Sequence, residues 1–273
     1  MKMTKNISIL IIIIISIFSS CKEKEIIETG TITSQDYITA ENIFNDVGRV
    51  VEDAFIDNGT SKNCHSYTLM NADTSNQDTI IVDFGDGNPA DCLSYGKLRR
   101  GKMIIMYTGK YRDSLSVITT TFDHYYVNNK WVQGKRVATN NGRNQNGNVT
   151  FSIEVENASI TGNGTINWNS SRTREWISGY NTFANPFDDK YIVSGSASGN
   201  STSGQDFTLN ITKDLYVDLG CLISTTNPCV VTSGKAELIP TGFSTRFINY
   251  GDSICDCNFT ITLNGADYLI VTN

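Results

Sequence analysis

The sequence predicts a mainly β protein: a curved antiparallel meander sheet, or a partly open barrel or sandwich, carrying one N-terminal amphipathic helix. Three observations predict it. Apolar and polar residues alternate over many short segments: Val149, Phe151, Ile153 and Val155 against Thr150, Ser152, Glu154 and Glu156; Phe207, Leu209 and Ile211 against Thr208, Asn210 and Thr212; Phe259, Ile261 and Leu263 against Thr260 and Thr262. A period of two marks antiparallel strands with one face in the core and one in water. Turn residues fall between such segments, at Asn128-Asn129, Asn140-Asn141-Gly142, Asn146-Gly147, Asn163-Gly164, Ser203-Gly204 and Asn264-Gly265. Asn and Gly supply the positive φ that tight hairpins need. Finally, Gly109, Gly134, Gly179, Gly195 and Gly234 sit inside strand patterns, where glycine marks a bulge or bend and lets a sheet curve. Roughly a dozen strands fit these signals.

Residues 1–20 read as a signal peptide. Lys2 and Lys5 form a positive start, and Ile7 to Phe18 is apolar but for Ser8 and Ser16. That run is shorter than the about 20 residues of a spanning helix. Ser19-Ser20 then precede Cys21. A Cys behind two small residues resembles the lipobox of bacterial lipoproteins, although Phe18 stands where Leu is usual. The resemblance implies that Cys21 is diacylated and becomes the first residue of the mature chain, so the membrane is a partner through acyl chains. Residues 21–38 are expected to be a flexible tether, charge-rich at Lys22-Glu23-Lys24-Glu25. Those four residues resemble the surface-export signal of lipoproteins in the Bacteroidota phylum, with Lys24 interrupting the acidic pair.

The helix is expected over 39–58. Ile43, Phe44, Val47, Val50, Val51, Ala54 and Phe55 form one stripe at a 3.6-residue period. Thr39 suits the N-cap, and Asn58-Gly59 the end. The opposite face carries Glu41, Asp46, Glu52 and Asp53 with only Arg49 as a base, which argues against a membrane-surface helix and for packing on a sheet.

The β domain is expected over 63–273, with two related halves, about 63–157 and 158–273, as one reading. A cysteine-led hairpin opens at Cys64, ends a strand in Phe84-Gly85-Asp86, reaches Cys92 and passes a basic turn, Lys97-Leu98-Arg99-Arg100-Gly101-Lys102. The pattern recurs where Cys229 opens a strand, Tyr250-Gly251-Asp252 ends one, and Cys255 follows. In an oxidising compartment the cysteines after Cys21 read as disulfides. If the hairpins are equivalent, the bonds are Cys64–Cys92 and Cys229–Cys255, leaving Cys221–Cys257.

Cys21, the helix, Thr79 to Gly87, Arg100-Gly101-Lys102, Asn167-Trp168 with Arg172 and Arg174, and Asn249 to Asp256 together resemble uncharacterised outer-membrane lipoproteins of the Bacteroidota. The resemblance spans most of the chain and implies an address, the outer membrane facing the cell surface, without an activity.

Chemistry-bearing constellations are few. The net charge is −6 with no basic block, which excludes a nucleic-acid partner, since phosphate contacts carry most of that affinity. His65 and His124 are the only histidines and fit no zinc or metalloprotease spacing; Gly195-Ser196-Ala197-Ser198-Gly199 has Ala where a nucleophile elbow needs Ser. No catalytic residue is assigned and no cofactor is expected. The one candidate ion is Ca²⁺ on Asp83, Asp86, Asn88 and Asp91, hard oxygen donors crowded in one loop, where turn chemistry accounts for the same residues. Cys255-Asp256-Cys257 with Cys64-His65 offers a metal set that disulfide formation competes with. Arg172 and Arg174 share a strand face with Trp176, and Trp168 adds to it. Two guanidiniums beside a Trp suit an anion or sugar acid; the ordinary alternative is a solvated strand face with acids across it. Glu154 and Glu156 offer carboxylates of the kind glycoside hydrolysis uses.

The functional expectation is a lipid-anchored envelope protein acting as a binding or structural component, with a glycan or envelope protein as partner. The alternatives are a carboxylate-based glycan hydrolase and a periplasmic lipid carrier with a helical lid.

Overall fold

The computed structural model describes residues 30–56, 64–70, 78–88, 90–94, 96–182, 185–224, 229–256 and 258–271. Residues 1–20, Cys21 with Lys22 to Glu25, and Cys257 lie outside this set.

The protein is mainly β. After helix α1 (Ile32–Ile56) come β1 (Ser66–Met70), β2 (Asp78–Asp83), β3 (Cys92–Ser94), β4 (Lys97–Tyr107), β5 (Val117–Val127), β6 (Lys130–Arg143), β7 (Val149–Thr161) and β8 (Thr165–Ser178). A 3-10 turn (Pro186–Asp188), β9 (Lys190–Asn200), β10 (Asp206–Asp218), the short helix α2 (Cys221–Ser224), β11 (Val231–Pro240), β12 (Arg246–Asp252), β13 (Asn258–Leu263) and β14 (Ala266–Val271) follow. Among the described residues, all 14 strands join one sheet in sequence order, with β3 branching off to pair with β4. Every pairing is antiparallel, and none joins β1 to β14, so the sheet is open. The expected halves do not appear as a break: their boundary falls inside β7, which pairs along its length with β6 and β8.

Alternation sets the core. On β8, Ile166, Trp168, Ser170, Arg172 and Trp176 are buried while Thr165, Asn167, Asn169, Ser171 and Thr173 are exposed. The buried face meets α1, whose predicted stripe is in the core, with Phe55 partly covered. Strands far apart in the sheet reach this helix: Arg99 of β4 binds Asp46, Arg172 of β8 binds Glu41, and Tyr250 of β12 binds Tyr37. The sheet is bent to allow this. Register shifts recur in neighbouring pairs at Arg100/Lys102, Gln133/Lys135, Val155/Ala158 and Ser233/Lys235, and bulges bend a strand and increase its twist. Gly195 shows the backbone reason: its φ is +124°, and a Cβ there would lie 2.2 Å from the Ser171 carbonyl oxygen. Gly134 and Gly234 also sit at such shifts, whereas Gly109 and Gly179 lie just beyond β4 and β8.

Three local expectations are corrected. The helix begins at Ile32, seven residues before Thr39. Its first turns are fixed by the β9–β10 turn: Thr33 Oγ1 donates to Gln205 Oε1 at 2.7 Å, and Asp36 Oδ2 accepts from the N–H and hydroxyl of Thr202 at 2.8 Å each. Part of the expected tether is therefore folded. Asn140-Asn141-Gly142 is a bulge within β6, not a turn, because Asn140 Oδ1 accepts the Gly142 N–H and its side chain also reaches the Tyr111 carbonyl. The basic turn at 97–102 is the start of β4, with Arg99 turned inward.

Cys64 and Cys92 are bonded, with Cα atoms 5.3 Å apart. Cys255 is bonded to Cys221 at the same Cα distance, in place of the expected Cys229–Cys255 and Cys221–Cys257. The Ser253 N–H donates to the Thr232 carbonyl, folding the chain after β12 back over the start of β11, where α2 presents Cys221. Cys229 is itself disulfide-bonded.

Candidate functional site: a guanidinium-lined cavity under the helix

The cavity lies between α1 and strands β6 to β9 and measures about 40 Å³. Its floor follows from strand register. Arg136 of β6 pairs with Val155, Arg172 of β8 with Ile153, and Arg174 of β8 with Val193 of β9. Cross-strand partners share a face, so all three guanidiniums point toward the helix. Trp168 and Ser170 complete the floor; Glu41, Phe44, Asn45 and Gly48 form the roof. Trp168 packs on Phe44 with ring centroids 5.1 Å apart.

Each arginine has a different partner. Arg172 Nη2 donates to Glu41 Oε2 at 2.8 Å, and the Tyr37 hydroxyl donates to the same oxygen at 3.2 Å. Burial alone would lower the pKa of Arg172, but Glu41 and Tyr37 outweigh it and hold the guanidinium firmly charged. Arg174 donates to the Tyr111 hydroxyl and lies over the Tyr191 ring at 4.3 Å. Arg136 has no carboxylate within ion-pair distance among the described residues, although it is 3 % exposed. Burial pushes it down to about 10, with Arg174 adding to that and Tyr111 and Glu52 opposing it. Space for its guanidinium comes from Gly48, where a Cβ would lie 2.9 Å from Arg136 Nη2.

Four buried nitrogens on this lining have no hydrogen-bond partner among the described residues: Arg136 Nη1, Arg172 Nε, Arg174 Nε and Trp168 Nε1. All four belong to groups that only donate. Buried polar groups left unsatisfied are uncommon and call for an explanation.

One turn beyond Gly48, Glu52 begins a second buried cluster. Burial raises the pKa of Glu52 despite Arg174, Arg112 and Arg136 nearby. Asp189 is 1 % exposed; its Oδ1 accepts from Trp176 Nε1 at 3.3 Å and its Oδ2 from the Tyr191 hydroxyl at 3.2 Å. Burial first, then Glu52, raise Asp189 to about 7, against the pull of Arg112.

The structure thus brings Trp168, Arg172 and Arg174 to one place, as their spacing suggested. They are not a solvated face, because α1 covers them. Sequence reasoning missed Arg136, Glu41, Glu52 and Gly48. Two signals were legible: a glycine in mid-helix, and an arginine in phase with the inward residues Ala138 and Asn140.

The calcium residues do not converge. Asp83 pairs with Lys102 at 3.3 Å, Asp91 pairs with Arg100 at 3.1 Å, and Asp86 Oδ1 accepts the Asn88 N–H at 3.0 Å. These carboxylates already have cations or turn amides as partners. Among the described residues, Cys64, His65 and Cys92 alone bring three metal-type side chains close, with donor atoms within 4.8 Å. The Cys64–Cys92 disulfide leaves no thiolate there to bind an ion. Glu154 points outward, where it accepts from the Ser171 hydroxyl, and Glu156 pairs with Lys135. Among the described residues no helix is long and apolar enough to cross a membrane, which says nothing of strands. Comparison with protein-family models, curated proteins and solved structures finds no match to this chain.

Proposed function

We propose that the chain is a lipid-anchored cell-envelope protein of the outer membrane whose β domain binds a small solute in the cavity under α1. The observation that carries this reading is the set of four unpartnered donors on one cavity wall. Each buried donor without a partner costs about 1–3 kcal/mol, and these four gather on the wall of one cavity. A binding site has this form: its polar groups are desolvated in advance and aimed at the ligand. A lipid carrier needs an apolar space under the helix, and here that space holds Arg136, Arg172 and Arg174. For a glycan hydrolase, the buried acids Glu52 and Asp189 are out of reach of a sugar chain.

The test is a thermal-melting screen of the purified domain against small neutral, cationic and anionic solutes, read together with tryptophan fluorescence. A solute in the cavity raises Tm and changes the emission of Trp168. In Trp168→Phe the fluorescence change disappears. If no solute of any charge class shifts Tm, the cavity is not a binding site.

A further inference from the structure

We infer that the solute is a small monovalent oxyanion of carboxylate or nitrate size, and that Arg136 is the residue that selects it. This rests on the cavity being a binding site, as proposed above.

Three observations converge. The unpartnered atoms on the cavity lining are all donors, so a group seated there must accept hydrogen bonds, while the unpartnered Glu52 Oε1 lies one turn beyond the lining. The charge around the cavity does not close: three guanidiniums, Arg136, Arg172 and Arg174, and one carboxylate, Glu41, are on its lining, and the one further carboxylate that acts on these arginines, Glu52, stands one turn beyond it. Arg172 is matched by Glu41, while Arg136 is buried with no ion pair among the described residues. A water molecule would satisfy a donor and leave that charge unmatched; a monoanion does both. The size is set by the cavity. About 40 Å³ holds an object of a few heavy atoms, which excludes a whole sugar acid. Planar guanidiniums suit planar oxyanions, because their N–H groups present a fork that matches two oxygens. Gly48 is the second half of the device. A glycine in mid-helix weakens the helix relative to Ala, yet a side chain there would displace the Arg136 guanidinium.

The experiment is a titration of the wild-type domain with sodium formate or sodium nitrate at constant ionic strength. The balance is made up with sodium gluconate, an anion too large for the cavity. At a hundredfold excess over Kd the melting temperature should rise by roughly 5–10 °C. Glucuronate, glycerol and tetramethylammonium should give no shift. Arg136→Met should abolish the response to formate and nitrate. It should also melt no lower than wild type in gluconate alone, because it replaces an unmatched buried charge with an apolar side chain of similar length. The wild-type titration stands on its own if that variant fails to fold. A Tm shift from neutral solutes and none from formate or nitrate overturns the anion assignment while leaving the cavity a binding site. Silence from every class overturns both. An Arg136→Met protein that still responds as wild type removes Arg136 from the recognition.

Discussion

Asp189 is the residue whose environment most alters its chemistry. Its carboxyl is raised to about 7 by burial and by Glu52, while Trp176 Nε1 and the Tyr191 hydroxyl donate to it. An acid with a higher pKa in the folded than in the unfolded chain binds its proton preferentially when folded. Its stabilising effect is therefore complete below about pH 4, declines as pH rises to about 7, and is gone above that. The full span is on the order of 4 kcal/mol, less whatever Glu52 shares. Asp46 behaves in the opposite sense. Burial would raise it, but Lys97, Arg99 and Arg49 prevail and hold it well below the usual carboxylate range, so its contribution is lost only in strong acid. Urea unfolding at pH 5 and pH 7.5 separates the two. Wild type should be less stable at the higher pH, and Asp189→Asn should show little of that difference. Equal pH dependence in both proteins would assign the titration to another group.

At the level of the element, α1 is organised by what surrounds it more than by propensity. Its apolar stripe packs on the sheet, and two of its carboxylates, Asp46 and Glu41, pair with inward-pointing arginines of strands, Arg99 and Arg172. Gly48 is the position where helix propensity and tertiary fit conflict. In a solvated helix, Gly→Ala gains about 1 kcal/mol. Here Ala would press on Arg136 Nη2 at 2.9 Å, and forcing extra atoms into a packed interior costs about 1–3 kcal/mol. Gly48→Ala should therefore destabilise the protein by about 1 kcal/mol as measured by denaturant midpoint. In an Arg136→Met background the same change should become neutral or stabilising. A stabilising Gly48→Ala in the wild-type background would show that Arg136 moves aside freely.

Across the whole molecule, one open sheet is bent about one helix, and the Cys64–Cys92 and Cys221–Cys255 disulfides fasten connections between its strands. Gly30 is held to the folded domain: its carbonyl accepts from Arg246 Nη2 at 3.3 Å. The chain that joins this domain to Cys21 is therefore short. If acyl chains on Cys21 are the only anchor, Cys21→Ala should move the protein from the membrane fraction to the soluble fraction. Replacing Lys22 to Glu25 with Ala should keep the acylated protein on the membrane but shield it from protease added to whole cells. A Cys21→Ala protein that stays with the membrane at high salt would show a different mode of attachment, and equal protease sensitivity with and without the charged block would make the block a spacer.

The sequence by itself determined the class of the fold. Alternation over Val149 to Val155 or Phe259 to Leu263, hairpin turns at Asn128-Asn129 and Asn264-Gly265, and the stripe from Ile43 to Phe55 are short-range patterns, and short-range sterics and burial decide them. Cys64–Cys92 was expected from the apparent repeat of two cysteine-led hairpins, and the β1–β2 hairpin, which pairs Ser66 with Asp83, leaves the two cysteines within reach. Cys221–Cys255 was not: the apparent repeat suggested one partner, and the fold of the chain around α2 supplied another. The candidate site shows the same division. Trp168, Arg172 and Arg174 lie on one strand, so period two placed them together. Arg136 on β6 and Glu41, Gly48 and Glu52 on α1 joined them only because the bent sheet and the helix close on each other. That closure depends on contacts between residues more than a hundred positions apart, such as Arg172 with Glu41, and no local pattern in the chain encodes them.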